Sequence, residues 1–219
     1  MGELQFQFIS AFIAMAIPLL FVAFMLDKGD ARRIILYFCW GTFAGVLAYN
    51  LNNLLGSGAG QTERMTTSIA PMIEEICKGL PVLLFLNRKK YPNVSKLIVF
   101  CAMASGVGFS IQESMYYFAM SAREAGDLYT LVFRTLTTAL MHGMVTAAFG
   151  IGLMLTQKLR HIRIPVIFGL FAFCASIHAL FNLLLQTNFA VIAVIMPIAM
   201  FFAGWYYIRN LDEESPGNL

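Results

Sequence analysis

The sequence predicts an all-α fold: a polytopic bundle of about seven membrane-spanning helices with the N-terminus outside. Three observations lead there. The 219 residues are 59% hydrophobic and only 12% charged, against about a quarter charged in a typical soluble domain. Apolar runs recur along the whole chain at close to the roughly 20 residues that a helix needs to cross the hydrocarbon core. The linkers between the runs alternate between rich and poor in Lys and Arg, as the positive-inside rule requires. Neither a repeat nor a low-complexity stretch divides the chain, so 1–219 reads as one integral membrane domain. The net charge is only +3, and nothing in the pattern suggests a nucleic-acid partner; the bilayer itself is the implied surroundings.

The first span, about 5–26, has no Lys or Arg before it and no small-residue cleavage site after it, so it is expected to stay as a helix and not to be removed as a signal peptide. The linker "DKGDARR" follows, with Lys28, Arg32 and Arg33 marking the cytoplasmic side. The second span, about 34–55, leads to "GSGAGQTERM", which carries only Arg64. The third, about 66–86, returns to a basic linker with Arg88, Lys89, Lys90 and Lys96. The fourth, about 97–120, ends at "SAREAGDLY", with Arg123 alone. The fifth, about 130–155, reaches Lys158, Arg160 and Arg163, with His161 among them. The sixth, about 165–184, is separated by a brief "LQTN" from the seventh, about 189–208. The tail "LDEESPGNL" is acidic, polar and expected to fray.

Several residues have plain readings. Cys39, Cys77, Cys101 and Cys174 all fall inside apolar runs without a CxxC, which points to small buried hydrophobes and not to disulfides or a thiolate metal site. Trp40, Trp205, Tyr206 and Tyr207 stand near expected helix ends, as interfacial anchors do. Pro18, Pro71, Pro81 and Pro197 suggest kinks, with Pro71 opening the backbone before Glu74.

Glu74, Glu75, Lys78 and Glu113 do not fit a lipid-facing role. At roughly 2.5–3.5 kcal/mol each near the bilayer centre, the four cost about 10 kcal/mol before pairing. His142 and His178 also fall within spans. At 1.5 Å rise per residue, Glu75 lies ~14 Å, Glu113 ~10 Å, His142 ~18 Å and His178 ~9 Å below the outer ends of their helices. Four consecutive helices therefore place polar groups in the outer half of the membrane. Lys78 is four residues from Glu74 and three from Glu75, so it can pair with either. His178 and Asn182 share a face, as do Phe109 and Glu113. A buried ion pair seldom adds net stability, so a purely structural role explains the cluster poorly.

Hydrolysis is the chemistry such a set supports. A carboxylate can act as general base on water, a histidine can move a proton, and Asn182 can hold a developing oxyanion. Glu75, His142 and His178 would also suit zinc with an open position for water. Without HExxH, zinc is admitted as a cofactor but not indicated.

The motifs "EEICK" (Glu74, Glu75, Lys78), "FSIQE" (Phe109, Glu113), "LMHGMV" (His142) and "HALFN" (His178, Asn182) stand in that order on successive spans. In this the chain resembles the PrsW family of bacterial intramembrane proteases, related to the CAAX prenyl endopeptidases and bacteriocin-processing proteases. The wider group shows arginine four residues after the second glutamate and histidine in place of Glu113; both departures point to PrsW. The resemblance covers about 66–186, a four-helix catalytic core. It implies a multi-pass protein of the bacterial plasma membrane that performs site-1 cleavage of a membrane-anchored anti-sigma factor. It also implies that Glu74 and Glu75 activate water, with Glu113, His142, His178 and Asn182 completing the centre and Lys78 and Phe109 behind them. A glutamate-held water is the preferred reading, with a metal as the alternative. Competing functions are a CAAX-type or peptide-processing protease, a proton-coupled transporter and a non-catalytic scaffold. The one-sided depth of the polar groups disfavours the transporter.

Overall fold

The computed structural model describes residues 3–26, 30–56, 69–86, 95–121, 128–156 and 160–210. Among the described residues the regular structure is entirely helical: α1 Glu3–Met25, α2 Ala31–Gly56, α3 Ala70–Leu86, α4 Ser95–Ser121, α5 Leu128–Thr156, α6 Arg163–Leu185 and α7 Ala190–Asn210, with a 3-10 turn at Arg160–Ile162 before α6. Each expected span overlaps one of these helices, and the short gap before α7 is a genuine turn, with the Gln186 and Thr187 amides donating to Leu183 and Leu184 carbonyls. Among the described residues, six helices are long and apolar enough to cross a membrane. The exception is α3, at 17 residues, which sits at the lower limit for a span and carries the charged residues.

α1, α2, α4, α5 and α6 start two or three residues earlier than composition suggests, whereas α3 and α7 start later. Asp30 occupies the N-cap position of α2, its carbonyl accepting from the Ile34 amide at 3.1 Å. Arg32 and Arg33 therefore belong to the first turn of α2, and Lys96 lies within α4. Lys28, Arg64, Arg88, Lys89, Lys90, Arg123, Lys158 and the acidic tail lie outside the described residues.

The centre of the bundle is α4, packed between α2 and α5. Small residues permit the contact, because lipid gives little hydrophobic drive and close backbone approach must supply the attraction. A Cβ on Gly41 would lie 1.9 Å from the Ser105 carbonyl oxygen, and one on Gly106 would lie 2.1 Å from that of His142. Around this seam pack Val99, Met103 and Val107 of α4 with Met144 and Ala147 of α5. A second cluster joins Met141, Val145 and Phe149 of α5 to Cys174 and Phe181 of α6. The short helix α3 touches α2, α4, α5 and α6, which makes it the meeting point of the bundle. Large apolar side chains such as Phe8, Phe24, Phe43, Phe168 and Phe202 are exposed on the outside, as expected of a surface solvated by acyl chains. Trp205 and Tyr206 are exposed near the end of α7, consistent with anchoring.

Three sequence expectations are corrected. Trp40 is no interfacial anchor: its indole N–H donates to the Cys77 carbonyl at 3.0 Å. Pro81 has no N–H to return to the carbonyl four residues earlier, which is that of Cys77, so the indole replaces a missing helix bond. Pro71 does not open the backbone; it stands in the first turn of α3, where a missing N–H costs nothing. Cys39 is exposed, whereas Cys77, Cys101 and Cys174 are buried as expected.

Candidate active site

The site grows from α3. Helical spacing puts Glu75 and Lys78 one turn apart, and the ammonium binds the Glu75 carboxylate at 2.6 Å. Of the two partners that spacing allowed, Glu75 is the one used. Both side chains are almost wholly enclosed, Lys78 at 0% and Glu75 at 2% exposure. Three further contacts hold Lys78. Its Nζ lies 2.7 Å from His142 Nδ1 of α5, and 4.7 Å above the ring of Phe109 of α4. Its backbone carbonyl accepts from Ser105 Oγ at 2.9 Å. Phe109 also stacks obliquely on His142, with ring centres 5.0 Å apart. It acts as an apolar floor that strengthens the charges above it by excluding water.

The network then crosses the bundle. His142 Nε2 binds Glu113 of α4 in a short contact. His178 Nδ1 of α6 binds Glu75 Oε1 at 2.9 Å, and the two imidazoles meet edge to face at 4.8 Å between centres. Tautomers follow from the donor inventory. An ammonium only donates, so His142 Nδ1 accepts and its Nε2–H donates to Glu113. A carboxylate only accepts, so His178 Nδ1 carries a proton, and in the neutral tautomer that this selects the lone pair is on Nε2. That Nε2 is buried and has no hydrogen-bond partner among the described residues. Glu74 Oε2, on a half-buried side chain, stands 3.6 Å from it.

Two layers result. Glu75, Lys78 and His142 form an enclosed, mutually satisfied base. Glu74, Glu113 and His178 present oxygen and nitrogen atoms above it, all within 4.8 Å of one another. Asn182, half-buried, follows His178 by one turn on α6. Glu74, Glu75, Lys78, Phe109, Glu113, His142 and His178 thus come together from α3, α4, α5 and α6, whereas Asn182 is placed only by its position on α6. Sequence reasoning missed Ser105 and Trp40, which brace the α3 backbone from neighbouring helices. The carbonyl orphaned by Pro81 signalled the need for a donor but not its source.

A helical membrane bundle with a buried acid–histidine centre shared by four helices defines a class: multi-pass proteins equipped for hydrolysis inside the membrane. The chain belongs to a particular family within it, for the PrsW family intramembrane metalloprotease model matches residues 30–208. The protein is therefore a multi-pass intramembrane protease. No curated protein and no solved structure matches it.

Proposed function

We propose that this protein hydrolyses a peptide bond of a membrane-anchored protein with a water held by Glu74, Glu113 and His178. The observation that carries this reading is the bare, buried His178 Nε2 facing Glu74 at 3.6 Å. An unpaired polar atom inside a bundle is costly, and a reacting water would satisfy it.

Glu74 serves as general base because Glu75 is committed to Lys78 and His178. It takes one proton of the water as the water oxygen attacks the substrate carbonyl carbon. It then delivers that proton to the departing amine as the C–N bond breaks. Asn182 supplies a neutral donor for the oxyanion. Lys78 and Glu75 fix the ring of His178, and Lys78 fixes that of His142, so the layer facing substrate is oriented before binding.

The family description implies a metal, and the residues present fit one in a specific way. Glu74, Glu113 and His178 offer two carboxylates and a free imidazole nitrogen, a donor set suited to zinc. Glu75, His142 and His178 are also close together, but Glu75 and His142 face the Lys78 ammonium at 2.6 and 2.7 Å, which repels a cation. A bound zinc would polarise the carbonyl and acidify the water; the positioning by Lys78, Glu75 and His142 is the same with or without it.

The substrate we assign is a single-span, membrane-anchored anti-sigma factor, cut near the outer face of the bacterial plasma membrane. The family and the basic-linker pattern support this. The test uses purified protein in nanodiscs, wild type beside Glu74→Gln and His178→Ala, against a panel of tagged single-span anti-sigma factors. Either substitution should lower cleavage by about 100-fold or more with the protein still inserted and folded, and Glu74→Gln should do so at an unchanged melting temperature. Full activity in both variants would overturn the assignment.

A further inference from the structure

Arg134 is a second intramembrane charge, and the hydrolytic centre does not use it. It lies on α5, eight residues before His142, so about 12 Å closer to the outer end of that helix. Its guanidinium stacks on the face of Tyr117, 3.2 Å from the ring centre. Tyr117 follows Glu113 by one turn of α4, about 6 Å outward. The Nε–H is sealed off and has no hydrogen-bond partner among the described residues. No carboxylate among the described residues pairs with the guanidinium.

This is an expensive arrangement to leave idle. A snorkelling arginine would carry its whole head group to the interface. Here the aromatic face holds the plane fixed, leaving a fork of donors at the outer rim of the site. A fork of that shape matches a carboxylate with two parallel hydrogen bonds. Tyr117 is 36% exposed, so the shelf is open at its edge. An extended chain advances ~3.3 Å per residue, and the ~6 Å from Glu113 to Tyr117 corresponds to about two residues.

We propose that Arg134, held by Tyr117, is a specificity-determining residue that binds an Asp or Glu side chain of the substrate about two residues outward of the scissile bond. The inference rests on the proposed hydrolytic site, because that site sets the register. The carboxylate locks the strand across Glu74, Glu113 and His178 and selects which bond is cut.

The probe is a set of labelled synthetic peptides. Each has one Leu/Ala-rich membrane span followed by an extended outer flank with Glu, Gln or Lys at one of six successive positions. Binding is measured in nanodiscs in a Glu74→Gln background, without turnover; cleavage is measured separately with intact Glu74. Glu should bind at least about tenfold tighter than Gln at one register. Arg134→Gln should abolish that preference, and Arg134→Glu should transfer it to Lys at the same register. If the charge-reversed protein fails to fold, the Arg134→Gln comparison decides alone. Absence of binding by every peptide, equal binding of Glu and Gln at all registers, or a Glu preference that survives Arg134→Gln overturns the proposal. Peptides that bind in register but are never cut by the protein with intact Glu74 would sink the hydrolytic reading and leave the carboxylate site standing.

Discussion

Lys78 is fully enclosed, and its position makes sense only through its partners. An ammonium with the Glu75 carboxylate at 2.6 Å and an imidazole lone pair at 2.7 Å is compensated; the same site without it is not. Lys78→Met should therefore lower stability by about 3–5 kcal/mol by stranding Glu75, read as unfolding in detergent. The Lys78→Met, Glu75→Gln double variant should recover part of that loss, since a neutral amide is easier to bury than a carboxylate. No recovery would mean that Lys78 acts through packing alone. At this scale much was legible beforehand. Helical periodicity put Glu75 and Lys78 on one face and His178 one turn from Asn182, and membrane burial marked each as costly. The choice of Glu75 over Glu74 was not legible, because spacings of three and four both permit contact. It depends on His142 and Phe109, which arrive from other helices.

At the scale of elements, α3 is short, proline-containing and braced from outside. Trp40 replaces the hydrogen bond that Pro81 removes at Cys77. Trp40→Phe keeps most of the apolar bulk but leaves that carbonyl unsatisfied, so a loss of about 1–3 kcal/mol is expected by thermal unfolding. A loss under half a unit would show that the indole bond is dispensable. Glycine positions give a paired expectation. Gly106→Ala drives a Cβ into the His142 carbonyl at 2.1 Å and should cost about 1–3 kcal/mol, with reduced activity because α4 and α5 shift at the level of His142. Gly169→Ala meets nothing within 4 Å and should stabilise α6 by about 0.4–1 kcal/mol. Opposite signs in the two melting temperatures check both. The existence of these helices was legible from runs of apolar residues; their crossings were not. Small residues show that some close approach occurs, but Gly41 against Ser105 and Gly106 against His142 are matters of tertiary register. Trp40 was misread for the same reason, as an aromatic near a helix end fits an interfacial belt equally well.

For the whole molecule, the bundle separates duties between its helices. The largely buried α4 and α5 carry the core together with Glu113 and His142, while α6 and α7 present mostly exposed apolar faces. The alternation of basic linkers in the sequence leads us to propose that the linker after α2 faces outward and the one after α3 faces the cytoplasm. A periplasm-active reporter inserted at 62 should be active and one at 91 silent; the reverse would invert the depth of the site. We propose that the centre on α3 to α6 cuts a peptide bond in the outer half of the membrane. The most direct measurement is co-expression with a tagged single-span anti-sigma factor, with both fragments mapped by mass, for wild type and Glu74→Gln. A cut within or just beyond the outer half of the substrate span, present with wild type and absent with Glu74→Gln, is the expected result. The same fragments from both proteins, or a cut on the cytoplasmic side, would contradict it.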